Sequence, residues 1–220
     1  MKRKKNKKIS FFGKLFDPRM FFLDFARINA WPVLLFYRMK IIYENDNAKK
    51  FRRNTGIIAS NHTGFSDVPI IYSLMCYRRI CFVTAKEVYK SKFSTGFYNA
   101  VGCIKIDREN PSIQSFKKIT GCLDRGHYVG IFPEGSINKE QNLKMFKSGV
   151  VMMALMSGKP IIPIYIKRRK HWYNRQTVVV GEAINVKEYF SSRFPSMEEI
   201  EKVTNLIREK DIKLKEMVGE

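Results

Sequence analysis

Two short stretches of this 220-residue chain bring acid–base groups together. In Asn61-His62-Thr63-Gly64-Phe65-Ser66-Asp67 a histidine stands five residues before a carboxylate, directly after the apolar run Ile57-Ile58-Ala59. In Phe132-Pro133-Glu134-Gly135-Ser136 a carboxylate and a glycine follow a second apolar run, 128–132. An ordinary imidazole, with a pKa of about 6.5, is largely neutral near pH 7 and can act as a general base. An acidic neighbour can fix its tautomer and stabilise the imidazolium that forms when a hydroxyl gives up its proton. No serine or cysteine stands in a nucleophile-elbow context. The expected chemistry is therefore activation of a hydroxyl on the substrate, with His62 as base and Asp67 as its orienting acid.

Such groups need a scaffold that turns them toward each other. Five residues apart, His62 and Asp67 would lie on different faces of a regular helix, so residues 63–66 must turn irregularly, which Gly64 permits. Ser66 or Asp67 could also cap a helix opening at Val68-Pro69. Short apolar runs predict strands at 56–60, 80–84, 103–107, 128–132, 161–166 and 177–181. Helical spacing predicts helices at 68–77, 111–125, 147–157 and 196–217, with Asn110 capping the second and Gly158 ending the third. Alternating strands and helices argue for a single-domain α/β fold, a central mostly parallel or mixed sheet flanked by helices. In such folds chemistry gathers outside the carboxyl ends of strands. His62, Arg108 and Glu134 all fall there.

The formal charge is +21, and residues 1–53 hold 15 Lys and Arg against 4 Asp and Glu. That excess favours anionic partners: a membrane surface, an acidic carrier protein or nucleic acid. No helix-turn-helix, zinc or RNA-recognition signature supports nucleic acid. Residues 1–10 read as a basic tail, 11–53 as an N-terminal amphipathic helical segment, and 54–220 as the main domain. Within 11–43 the longest charge-free run is ten residues, 28–37, too short to span a bilayer. Pro32 should separate two helices lying in a membrane interface, with Trp31 and Tyr37 at headgroup depth, or covering the sheet, or both. Lys14, Asp17, Arg19 and Asp24 interrupt any signal-peptide core. Cys76, Cys81, Cys103 and Cys122 lack metal-ligand spacing and read as core residues in a reducing compartment. His127 and His171 have no acidic partner at useful spacing.

The two stretches, with two further ones, resemble the glycerolipid acyltransferase family (1-acylglycerol-3-phosphate acyltransferase-like). His62 to Asp67 is similar to its histidine-x4-aspartate block. Lys86 with Gly102-Cys103-Ile104-Lys105-Ile106-Asp107-Arg108 is similar to its second block. Phe132-Pro133-Glu134-Gly135-Ser136 and Lys159-Pro160-Ile161-Ile162-Pro163-Ile164 are similar to its third and fourth. The family usually carries an arginine soon after the Glu-Gly-Ser/Thr triplet, where this chain has Ile137 and Asn138.

The resemblance implies an O-acyltransferase moving a fatty acyl group from a thioester donor, acyl carrier protein or coenzyme A, to a lysophospholipid hydroxyl. The acceptor implied first is 1-acylglycerol-3-phosphate, giving phosphatidic acid. It also implies Arg108 and Lys86 as cations for the acceptor phosphate, and substrate contact at Glu134, Gly135 and Ser136, with backbone N–H groups near Gly135 able to face an oxyanion. No metal or redox cofactor is expected. The expected location is peripheral, on the cytoplasmic face of a membrane. Another lysophospholipid or an amine-bearing lipid as acceptor stays open, as does a non-enzymatic basic binding protein.

Overall fold

The computed structural model describes residues 21–220, apart from 30, 54, 76, 77, 109, 111, 139, 141, 172, 193 and 194. The basic tail and the first part of the N-terminal segment lie outside the described residues, as do Cys76 and Pro111. The chain begins with helices α1 (Phe21–Asn29) and α2 (Trp31–Phe36), separated just before Pro32 as expected. Strands and helices then alternate: β1 (Lys40–Tyr43), β2 (Ile57–Ser60), α3 (Asp67–Leu74), β3 (Ile80–Ala85) and α4 (Lys92–Ala100). There follow β4 (Ile104–Ile106), α5 (Ile113–Asp124), β5 (Tyr128–Ile131), α6 (Gly149–Ser157), β6 (Ile161–Ile166), β7 (Thr177–Val180) and α7 (Met197–Glu216).

The strands form one seven-stranded sheet in the order β1-β7-β6-β2-β5-β3-β4. All neighbours are parallel except β6 and β7, so the sheet is mixed and mostly parallel. Burial on both faces explains why the central strands are continuous apolar runs. In β2, Ile57 and Ala59 join the cluster with Ile119, Val150 and Val203 beneath α5, α6 and α7. Ile58 points the other way, into a cluster with Ile70, Ile71 and Leu74 of α3. Strand order reverses around β2, which lies between β5 and β6, and the crevice at such a point opens outside the carboxyl ends of the strands.

Three elements differ from the sequence expectation. Lys40–Tyr43, expected to end the helical segment, is an edge strand that pairs parallel with β7, Lys40 opposite Thr177. Helix α4 was not anticipated: it buries no side chain, so no apolar stripe marks it, and a reciprocal cap between Ser91 and Ser94 starts it. Helix α5 is capped by Ser112, whose hydroxyl accepts the Ser115 N–H at 3.2 Å, two residues after the expected Asn110.

Helix α1 is tied to the main body by a buried ion pair. Arg79 Nε and Nη2 donate to the two Asp24 oxygens at 2.9 and 2.8 Å, and Leu23 packs against Gly102. Phe21, Phe22, Phe25, Ile28, Leu35 and Phe36 stay exposed on α1 and α2. Tyr37 instead joins the core cluster beside α3, under the Arg169 guanidinium at 4.0 Å. No helix among the described residues is long and apolar enough to cross a membrane.

Candidate active site

The loop after β2 carries His62 and leads to Asp67, the candidate acid–base pair. His62 Nδ1 lies 2.8 Å from Asp67 Oδ2, and Asp67 is fully buried at the start of α3. The carboxylate reaches back across the turn instead of capping the helix. Its Oδ2 accepts the backbone N–H of Thr63 at 2.6 Å and of Gly64 at 2.9 Å, while Oδ1 accepts the Thr63 hydroxyl at 2.9 Å. Ser66 is the N-cap but its side chain makes no capping bond. Asp67 therefore builds the irregular turn that lets it face His62. Gly64 has no left-handed backbone, and a Cβ there would meet nothing nearer than 3.9 Å. Its contribution is the N–H, which any residue but proline would supply.

The imidazole is fixed on its flat side as well. It stacks on Phe132 with ring centroids 4.0 Å apart, and Phe132 stacks on Phe82 at 5.8 Å. With Nδ1 engaged by Asp67, Nε2 is the nitrogen left to take a proton from a substrate hydroxyl. The sequence brought His62 and Asp67 together, and the structure places them in hydrogen-bonding contact.

Glu134 is buried, and both its oxygens are occupied by protein donors. Oε1 accepts the His62 N–H at 3.3 Å; Oε2 accepts Asn138 Nδ2 at 2.7 Å and the Lys144 N–H at 3.2 Å. Asn138 in turn donates its N–H to the His62 carbonyl at 2.7 Å. Together they fasten the loop after β5 to the backbone of His62. Asn61 does the same on the other side, exchanging hydrogen bonds of 2.7 and 3.0 Å with the backbone of Ile166 at the end of β6. Asn61 and Asn138 are site residues that sequence spacing missed; an amide flanking each acidic block was the available signal. Behind Glu134, burial raises the Asp211 carboxyl well above the ordinary range, and the Glu134 charge adds to the shift.

Cations gather around the turn at Gly135, whose φ is +77°. A Cβ built there would lie 3.3 Å from Lys147 Cε and 3.7 Å from Arg108 Nη1. The Gly135 position thus brings Arg108, from the end of β4, beside Lys147, from the approach to α6. Lys144 Nζ contacts the Ser136 hydroxyl at 3.4 Å. Lys86 Nζ is held 2.7 Å from Asp107 Oδ2, next to Arg108, so it is drawn to a neighbouring carboxylate. The Gly135 N–H donates to the Phe132 carbonyl at 3.0 Å, so that amide is engaged inside the turn and is not a free oxyanion donor. Lys144 and Lys147 were not singled out from the sequence, because a helix was expected to begin at 147, whereas α6 begins at Gly149.

A family model described as Acyltransferase matches residues 40–167. The 1-acyl-sn-glycerol-3-phosphate acyltransferase of Bacillus subtilis is 25% identical over 189 residues, covering 83% of this chain and 92% of that protein. The enzyme of the same name from Borreliella burgdorferi is 25% identical, covering 81% of this chain and 72% of its own. The crystal structure of the 1-acyl-sn-glycerophosphate acyltransferase PlsC from Thermotoga maritima shares the fold, with a TM-score of 0.63 at 16% identity over 95% of this chain and 87% of that one. The family model begins at β1 and ends just past β6, taking in every strand-end loop that carries His62, Lys86, Arg108 and Glu134, and the chain belongs to the acyltransferase family.

Proposed function

We propose that the chain moves a fatty acyl group from a thioester donor to the free hydroxyl of 1-acylglycerol-3-phosphate, giving phosphatidic acid. The observation that carries this reading is the turn at Gly135, flanked by Arg108 and Lys147 and joined through Glu134 to the backbone of His62. A phosphate monoester bears between one and two negative charges near pH 7 and favours a guanidinium with a second cation. His62 Nε2 takes the hydroxyl proton, and the oxygen attacks the thioester carbonyl to form a tetrahedral oxyanion. Its collapse expels the thiolate, which takes the proton back from the imidazolium. Asp67 holds the ring throughout. The names of the B. subtilis and B. burgdorferi relatives support the same acceptor.

A second reading keeps the chemistry and changes the acceptor to a zwitterionic lysophospholipid. Ile137, where the family usually has an arginine, favours it. Mass spectrometry of products from a panel of lysolipids, each offered with acyl carrier protein and coenzyme A thioesters, tests both readings. Phosphatidic acid as the main product is the expected result; a product from lysophosphatidylcholine alone would overturn the acceptor. The same panel identifies the donor. The basic loop 167–170 lines a groove with Thr63 and Ser66 beside the catalytic turn, a surface suited to an acidic carrier or the phosphates of coenzyme A.

The reading includes peripheral attachment to the cytoplasmic face of an anionic membrane through the exposed aromatic face of α1 and α2. Fully burying a Phe or Leu side chain is worth about 1.5–3 kcal/mol. Replacing Phe22, Phe25, Leu35 and Phe36 together by Ser is expected to lower partitioning onto anionic vesicles by well over tenfold, measured by co-sedimentation. Unchanged sedimentation would move the lipid contact to another surface. The residual charge-driven binding should fade as salt rises.

A further inference from the structure

The amino end of the sheet, away from the catalytic loops, holds a cluster that acyl transfer does not use. Helix α5 ends at Asp124, and Gly126, two residues on, takes the left-handed conformation with φ +85°. The Gly126 N–H donates to the Leu123 carbonyl at 3.0 Å, and the His127 N–H to the Cys122 carbonyl at 3.1 Å. This pair of bonds is the Schellman termination, which folds the residue after the glycine back against the last helical turn. An apolar contact usually fills that place; here a thiol and an imidazole meet. Strand β3 supplies a third group, Cys81, from beside β5, where Cys81 is opposite Val129.

The two sulfurs are 3.2 Å apart, and both lie within 4.8 Å of a ring nitrogen of His127. Cys81, Cys122 and His127 are 1%, 5% and 7% exposed. His127 Nδ1 has no hydrogen-bond partner, and an orphaned buried polar atom costs about 1–3 kcal/mol. Arg125 Nη2 stands 3.2 Å from Cys122 Sγ. Spacing along the chain hides the cluster, because Cys81 and Cys122 are 41 residues apart.

We propose that Cys81, Cys122 and His127 form a binding site for a soft metal ion with a filled d shell, zinc or copper(I). Two thiolates and an imidazole are the donor set that such ions select over harder cations. Loading releases the two thiol protons to solvent, and the Arg125 guanidinium offsets part of the thiolate charge. Copper(I) with both thiolates and Arg125 gives a neutral site; zinc would leave one position open for water. Metal–sulfur bonds of about 2.3 Å at tetrahedral angles set two sulfurs roughly 3.8 Å apart. The thiols must therefore part by about half an ångström. A loaded site would join β3, the end of α5 and the start of β5.

The full chain, reduced and kept anaerobic, is titrated with cobalt(II) as a spectroscopic stand-in for zinc, and separately with copper(I) against a competing chelator. A thiolate-to-metal charge-transfer band saturating at one equivalent and displaced by zinc is expected. The band should survive Cys103→Ser and vanish in Cys122→Ser and Cys81→Ala. Zinc should also raise the melting temperature of the unaltered protein, a readout that stands even if a cysteine variant fails to fold. Copper(I) uptake without a cobalt band would assign the site to the monovalent ion. No uptake of either metal, or a band that persists in both folded cysteine variants, would overturn the proposal.

Discussion

A His62→Ala chain is expected to lose about 10²–10⁴-fold in acyl-transfer rate, the range that a positioned general base contributes, while its melting temperature stays close to that of the parent. The imidazole makes one side-chain hydrogen bond, to Asp67, and one stacking contact, to Phe132, so little of the fold depends on it. Asp67→Ala should behave differently. Its carboxylate accepts from Thr63 twice and from Gly64 as well as contacting His62, so removal unties the turn and costs about 1–3 kcal/mol besides the activity. Thermal melts measured beside kinetics separate the two variants. Wild-type turnover from folded His62→Ala protein would eliminate the base.

Arg108→Ala is expected to raise the Michaelis constant for lysophosphatidic acid by about 10- to 100-fold, matching the roughly 1.5–3 kcal/mol of a charge-assisted hydrogen bond. Hydrolysis of the thioester by water should barely change, because Arg108 stands at the Gly135 turn, where the acceptor phosphate is proposed to bind. Arg108→Lys should restore part of the loss, since an ammonium lacks the planar fork. Lys147→Ala should have a smaller effect of the same kind, and the two changes should be non-additive if both cations hold one phosphate. Side-by-side kinetics with lysophosphatidic acid and lysophosphatidylcholine provide the measurement. A preference for the zwitterion that Arg108→Ala leaves untouched would reassign the acceptor and leave acyl transfer standing.

The loops after β2 and β5 were legible in the sequence because strand, turn and functional group are contiguous there. The α/β class followed from alternating apolar and helical periods. β1 was not legible: four residues joined to a helical pattern find their partner only at Thr177–Val180, far along the chain. Local patterning carries no sign of that pairing. The cations at Gly135 were half legible, Arg108 through its motif and Lys147 not at all, since contact across the Gly135 turn depends on how two loops fold together. Glu134 was expected at the substrate, and its hydrogen bonds to the His62 N–H and to Asn138, which hold the loop after β2 in place, carry no sign along the sequence. A motif marks where a carboxylate matters without saying which neighbour it serves.

The buried pair of Asp24 and Arg79 makes the aromatic face of α1 a fixed mount, not a leash. A lipid-binding helix on a slack linker can tilt freely beneath its enzyme; one clamped this way cannot. The inclination of the catalytic crevice to any surface that α1 rests on is then set when the chain folds, and a lysolipid must enter along that one heading. Removing the N-terminal helices to obtain a more soluble enzyme would also strip the carboxylate from Arg79. Breaking a buried pair from one side typically costs about 3–5 kcal/mol. The proposed attachment and the folding of the chain therefore share one fastening, and a chain shortened to lose the first should lose much of the second.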